Sequence, residues 1–260
     1  MDIYQLTVAV VGSALAGAIN TLAGDGSAIT LTILTEIIGL SPNMANGTNR
    51  LGIFSQSLVG AWEFHRGGKL DLQRGKRYII PMTVGAIAGV LVAVWVSNEQ
   101  FKAVFSYLMV LMLVVLLAKP SRRIRPESIK KEPSNWLVIP VFLCLGFYGG
   151  FIQMGMGIFF LAIMVLGIRF TLTEGNAIKV LIVGLYTIIV IAIFQWKGLI
   201  DWKVGGVMAV GQSIGGWLTA KYASRYPKAD AVAYWVLVVI VVLAVAKLFN
   251  LHHWVGGLLN

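Results

Sequence analysis

Gly24-Asp25-Gly26 and Gly155-Met156-Gly157 each interrupt an apolar sequence, and each opens an apolar run that is too short to be a full membrane span, residues 27–40 and 156–168. A helix that crosses a bilayer takes about 20 residues. Both runs therefore read as half-helices entered through a break. Irregular backbone is tolerated at membrane depth only where protein or a water-filled cavity surrounds it. Two such breaks point inward, toward a shared cavity.

The rest of the chain supports a bilayer as solvent. Of 260 residues 58% are hydrophobic and 12% charged, with a mean hydropathy of +0.82, far from the balance of a soluble domain. Working outward from the breaks, candidate membrane segments fall at 4–22, 27–40, 48–64, 78–97, 100–118, 136–153, 156–168, 176–196, 204–220 and 231–250. The expected fold is an all-α polytopic membrane protein. The N-terminus, Met1-Asp2-Ile3-Tyr4, lacks a basic region of the secretory type, so the first segment is expected to be kept. The single cysteine, Cys144, lies in an apolar run and reads as packing.

The breaks occupy matching places in two halves, which marks an internal repeat. Gly24 and Gly26 align with Gly155 and Gly157, and Asn46-Gly47-Thr48-Asn49-Arg50 with Gly175-Asn176-Ala177-Ile178-Lys179. Gly68 and Asp71 align with Gly198 and Asp201, and Gly85 and Gly89 with Gly211 and Gly215. The expected organisation is a first transmembrane repeat at 1–118, a basic linker at 119–134 and a second repeat at 135–260. Basic residues concentrate after the third, fifth and ninth segments: Arg66, Lys69, Arg74, Lys76 and Arg77; Lys119 to Lys131; Lys221, Arg225 and Lys228. The positive-inside rule makes those loops cytoplasmic. Both termini then face outward, and five segments per half invert the second half relative to the first. The formal charge of +10 is thereby assigned to loops facing an anionic leaflet, not to nucleic acid. Trp62, Trp95, Trp136, Trp196, Trp202 and Trp254 fall at or near segment ends, where amphipathic rings anchor.

Inverted repeats with paired broken helices place a transported substrate near the midplane, where the halves meet. Arg50 and Lys179 are the paired cations there, able to face one small anion. A charge inside the membrane is costly unless paired, solvated or functional, and half-helix N-termini would add positive potential. Thr48, Asn49, Asn176, Gln153 and Ser27 are candidate hydrogen-bond partners, and Gly26 and Gly157 let backbone approach an ion. The alternative is that both cations sit at helix ends and snorkel to headgroups. Asp25 has two readings, a proton-coupling carboxylate or a cap for the half-helix beginning near Ser27. No metal or other cofactor is expected, because His and Cys residues are not clustered. Gly211-Gln212-Ser213-Ile214-Gly215 matches the G-x-S-x-G pattern of serine hydrolases, yet all three histidines lie in a loop or the C-terminal tail and supply no base. Helix packing explains that motif better than an intramembrane protease does.

Gly47-Thr48-Asn49-Arg50, Tyr148-Gly149-Gly150-Phe151-Ile152-Gln153-Met154-Gly155 and Asn176-Ala177-Ile178-Lys179-Val180 resemble signature stretches of the sulfite exporter TauE/SafE family. The resemblance spans nearly the whole chain. It implies an inner-membrane permease for sulfur-containing oxyanions or organosulfonates, such as sulfite or sulfoacetate. One departure is that Gly24-Asp25-Gly26-Ser27 stands where many relatives carry three glycines and a proline. An anion channel of the same architecture is the nearest rival reading. The particular anion, the direction, the coupling ion and whether the chain forms a homo-oligomer are left open by the sequence.

Overall fold

The structure is a computed structural model that describes residues 1–22, 26–118, 135–168 and 170–222, together with Trp235, Val238, Val239, Val241, Val242, Leu243 and Val245. Asp25, the basic linker and most of the tenth segment lie outside the described residues. In chain order the helices are α1 (Ile3–Leu22), α2 (Gly26–Thr32), α3 (Pro42–Arg66), α4 (Leu72–Ala93), α5 (Asn98–Ala118), α6 (Asn135–Phe151), α7 (Met156–Ala162), α8 (Leu172–Trp196) and α9 (Trp202–Tyr222). The half-helices α2 and α7 each continue into a π-helical turn, Ile33–Ile37 and Ile163–Gly167. No strand occurs among the described residues. By length and composition Ile3–Thr21, Leu72–Ala93 and Leu172–Trp196 are each able to cross a membrane.

The two halves recur with one register. Gly26 and Met156, Ile33 and Ile163, Pro42 and Leu172, and Leu72 and Trp202 open corresponding elements, each pair 130 residues apart. Local chemistry repeats with them. Gly68 and Gly198 both take left-handed backbone, φ +65° and +66°. Asp71 and Asp201 each accept a backbone N–H from three residues ahead, at 3.0 Å, and so cap α4 and α9. This register corrects the residue pairing read from the sequence, by one at Gly26 and Arg50 and by four at Gly85. Arg50 corresponds to Val180, Lys179 corresponds to Asn49, and Gly85 corresponds to Gly215. A continuous helix admits no gap, so the helix bounds decide.

α3 and α8 also begin earlier than the apolar runs suggested, at Pro42 and Leu172 rather than near 48 and 176. Pro at the first helical position and a Thr171–Glu174 capping box supply the start signals. Polar residues that fell before the expected start of the third segment, Asn43 and Asn46, are buried inside α3.

Packing does not follow the halves. α1 and α3 pack against α9, whereas α6 and α8 pack against α4; α3 and α8 meet at the centre. Two bundles result, α1–α3–α9 and α4–α6–α8, each taking helices from both halves. The apolar core divides the same way. One cluster joins Ala9, Ala16, Ile19, Val204 and Met208; the other joins Tyr78, Met82, Phe142, Phe160 and Ile182. Glycines bring the helices together, since a Cβ on Gly85 or Gly89 would strike the Leu143 or Phe147 carbonyl, and one on Gly17 or Gly215 would strike the backbone of Gln212 or Ala14. α3 and α8 lie head to tail. The start of α3 meets the end of α8, where the Asp201 N–H donates to Thr48 Oγ1 at 2.9 Å. The start of α8 lies beside the start of α4, where Ile178 packs against Gly75 and the Arg74 guanidinium stands 4.0 Å over the Phe170 ring. Trp62, Trp95, Trp136, Trp196 and Trp202 are exposed at or near helix ends, where membrane-interface rings belong.

Candidate substrate site

Arg50 and Lys179 are buried well inside their helices, 0% and 3% exposed, so neither reaches a headgroup. Arg50 lies two turns into α3. Its Nη1 donates to the Gly149 carbonyl at 2.7 Å and to Gln153 Oε1 at 2.9 Å. Nη2 donates to the Gly150 carbonyl at 2.9 Å and to Asn46 Oδ1 at 3.1 Å. Gly149 and Gly150 belong to the last turn of α6, whose carbonyls point outward without helical partners and carry the negative end of the helix dipole. Arg50 thus caps a helix of the opposite bundle. Lys179, two turns into α8, does the same with fewer bonds. Its Nζ donates to the Asn20 carbonyl near the end of α1 at 2.8 Å and to Asn176 Oδ1 at 2.7 Å. Asn20 and Gly150 are themselves 130 residues apart, so the two caps are related by the repeat although the cations are one residue out of step.

This arrangement differs from the sequence expectation in one respect. What reaches the two cations is the carbonyl end of a long helix, α6 or α1, and not the N-terminus of a half-helix. Every hydrogen bond that the described residues give Arg50 and Lys179 ends on a neutral oxygen. Burying a cation this way is expensive, and two helix termini of about half a charge each leave the region positive.

The other sequence candidates divide. Gln153 and Asn176 touch the cations directly. Asn49 is buried beside Arg50 on α3, with Oδ1 accepting from Gln212 Nε2 at 3.4 Å and Nδ2 without a partner. Arg50 Nε is likewise without a partner. Thr48 is occupied by the α9 entry, as its bond from Asp201 shows. Ser27 and Gly26 are buried in the first turn of α2, and Gly157 in the first turn of α7. Gly26 is required for packing, because a Cβ there would meet the Ala16 carbonyl. Asp25 lies outside the described residues.

Sequence reasoning passed over four participants. Asn46, one turn before Arg50, bonds both Arg50 and the Phe151 carbonyl, the latter at 2.7 Å. Tyr186 donates its hydroxyl to Gln153 Oε1 at 2.8 Å. Gln56 accepts from Asn20 Nδ2 at 3.2 Å and donates to Thr21 Oγ1 at 3.1 Å. Gln212 bonds Asn49. An amide or phenol in the middle of an apolar helix is the signal that could have found them, since its polar end needs a partner. Ser213, by contrast, shares a hydrogen bond with Ser55 between α9 and α3 and serves the packing of those helices.

Comparison with known proteins places this architecture. The sequence profile described as "Sulfite exporter TauE/SafE" matches residues 9–248. The chain is 27% identical over 259 residues to "Probable membrane transporter protein ORF9" of Sinorhizobium sp, covering 97% of each chain. It is 26% identical over 254 residues to "Probable membrane transporter protein YfcA" of Escherichia coli strain K12, covering 93% of this chain and 91% of that one. A "Probable membrane transporter protein" of Haemophilus influenzae is 28% identical over 209 residues, 80% of each chain. No solved structure matches. With a profile covering nearly its whole length and relatives named as transporters rather than enzymes, the chain belongs to the sulfite exporter TauE/SafE family and is a multi-pass membrane transporter.

Proposed function

We propose that this transporter carries a small sulfur-containing oxyanion, such as sulfite or an organosulfonate, across the inner membrane by alternating access. The observation that carries the anion is a surplus of buried positive charge: two cations held only by neutral oxygens among the described residues, with unpartnered donors at Arg50 Nε and Asn49 Nδ2. An anion between the bundles would satisfy those donors and offset the charge. The sulfur chemistry rests on the family description alone.

The packing favours a particular form of alternating access. Arg50 stands in the α1–α3–α9 bundle and bonds α6 of the other; Lys179 stands in the α4–α6–α8 bundle and bonds α1. Each cation is therefore a tie across the interface between bundles, and an anion that competes for it alters the tie. Motion of one bundle against the other, around the α3–α8 contact, fits this better than motion of residues 1–118 against 135–260. The inverted relation of the halves, supported by α3 and α8 lying head to tail, supplies two equivalent arrangements for such a motion. We place both termini outside, on the Lys and Arg bias, and leave direction and any proton coupling to flux measurements.

Sulfite flux into proteoliposomes tests the site. Arg50→Ala and Lys179→Ala should each abolish saturable uptake; undiminished flux in both would remove the site from this reading. Flux that fails to saturate identifies a channel of the same architecture.

A further inference from the structure

Gln153 stands where two donors converge. Its Oε1 accepts from Arg50 Nη1 at 2.9 Å and from the Tyr186 hydroxyl at 2.8 Å. All three side chains are buried. A single oxygen held between a guanidinium and a phenol has the surroundings that an oxyanion's oxygen would seek, but here the oxygen belongs to a neutral amide.

The backbone beneath it is unusual. Gln153 has φ +67°, and it is the sole non-glycine residue with positive φ among the described residues; Gly155, two positions on, has φ +72°. Both belong to the break between α6 and α7, where the chain has left one helix and not yet entered the next. A non-glycine residue adopts left-handed backbone at a cost, and such positions concentrate where strain is used. The amide is thus held on Arg50 and Tyr186 by a segment with no helical ladder of its own.

We propose that Gln153 Oε1 is a built-in stand-in for a substrate oxygen, and that the arriving oxyanion displaces it and takes both donors. Tyr186 is then a substrate-binding residue. The inference rests on the anion site proposed above. Displacement is favourable in kind, because the Tyr186 hydroxyl exchanges a neutral–neutral bond for one to an anionic oxygen, about twice as strong, and Arg50 gains an opposite charge. Arg50 keeps its remaining bonds to Gly149, Gly150 and Asn46 throughout, so the cation stays in place while its ligand changes.

The other half offers no such exchange. Gln56, the residue 130 positions before Tyr186, bonds Asn20 and Thr21, and Lys179 is held by the Asn20 backbone carbonyl and by Asn176 Oδ1 from one turn earlier on its own continuous helix. A main-chain oxygen of a helix terminus cannot swing away as a side chain can. The stand-in is placed at the Arg50 site because Gln153 sits in left-handed backbone between two helices, whereas Asn176 sits within the continuous helix α8.

The test uses the full chain in detergent and in proteoliposomes, with sulfite as probe and sulfate and chloride for comparison. Gln153→Glu puts a permanent carboxylate between the two donors. It should raise Tm in the absence of added anion, abolish the sulfite-induced rise in Tm and abolish sulfite flux. Tyr186→Phe removes one hydroxyl and keeps the ring; KM for sulfite should rise about tenfold with Vmax within about twofold, the loss of roughly one good hydrogen bond. A purely structural tyrosine would change both constants or neither. If Gln153→Glu does not fold, the Tyr186→Phe kinetics decide alone. A Gln153→Glu protein that still responds to sulfite like wild type, or an unchanged KM in Tyr186→Phe, overturns the stand-in and leaves the anion site standing. Wild-type protein that responds to no oxyanion overturns both.

Discussion

Arg50 and Lys179 perform the same structural task with different strength. Each caps the end of a long helix in the opposite bundle, but Arg50 makes four hydrogen bonds and Lys179 makes two. The guanidinium is a rigid fork with five donors, suited to several fixed acceptors; the ammonium is a point charge on a flexible stem. The difference teaches that a repeat can keep a contact while changing how firmly it is held. The Arg50 tie reads as the firmer anchor and the Lys179 tie as the weaker one.

The largest expected effect comes from removing the anchor. Arg50→Ala takes the donor from the Gly149 and Gly150 carbonyls and from Asn46 Oδ1, at about 1–3 kcal/mol for each buried group, and leaves Gln153 Oε1 with Tyr186 alone, so thermal stability in detergent should drop sharply and flux should vanish. Lys179→Ala should lose flux with a smaller fall in Tm. Equal losses of stability from the two would break the comparison.

Next in size are the glycine contacts that bind each bundle. Gly150→Val drives side-chain atoms into the Ala86 backbone between α6 and α4, whereas Gly206→Ala on α9 meets nothing within 4 Å. The first should lower Tm and detergent-extracted yield; the second should behave as wild type. A smaller contrast lies at the helix starts. Thr171→Ala removes the capping box of α8 and should cost about 1 kcal/mol, while Ser41→Ala should cost little because Ser41 makes no side-chain cap at α3. Smallest is Ser213→Ala, which deletes one hydroxyl bond to Ser55; such bonds in membrane bundles average about 0.6 kcal/mol. Full flux is expected, and lost flux would reopen the hydrolase-like reading of Gly211 to Gly215.

The breaks at Gly24 to Gly26 and Gly155 to Gly157 were legible because they violate membrane rules locally: short apolar runs and clustered glycine stand out in any window. The two cations were legible for the same reason. What they touch was not. Gly149, Gly150 and Asn20 contribute backbone carbonyls, which carry no sequence signature, and they come from 99, 100 and 159 residues away. The helix starts were obscured by polar residues that hydropathy assigns to loops: Asn43 and Asn46 at Pro42, which tertiary contacts bury, and Thr173 and Glu174 at Leu172. The one-residue slip in pairing Arg50 with Lys179 had the same origin, since matching residue types in two divergent halves ignored the register a continuous helix enforces. The swapped bundles were beyond any local pattern, because the small-residue faces of α1 and α9 look alike whether they pack together or apart.

That interlocking sets an order of assembly. α1 leaves the ribosome first but finds its partner α9 only after about 200 more residues have been made, and loop closure over such a length is slow. Until then the small-residue face of α1 around Gly17, built to touch another backbone, has only lipid or the insertion machinery against it. The nascent chain therefore holds an unfinished seam through most of its synthesis, and α9 closes it.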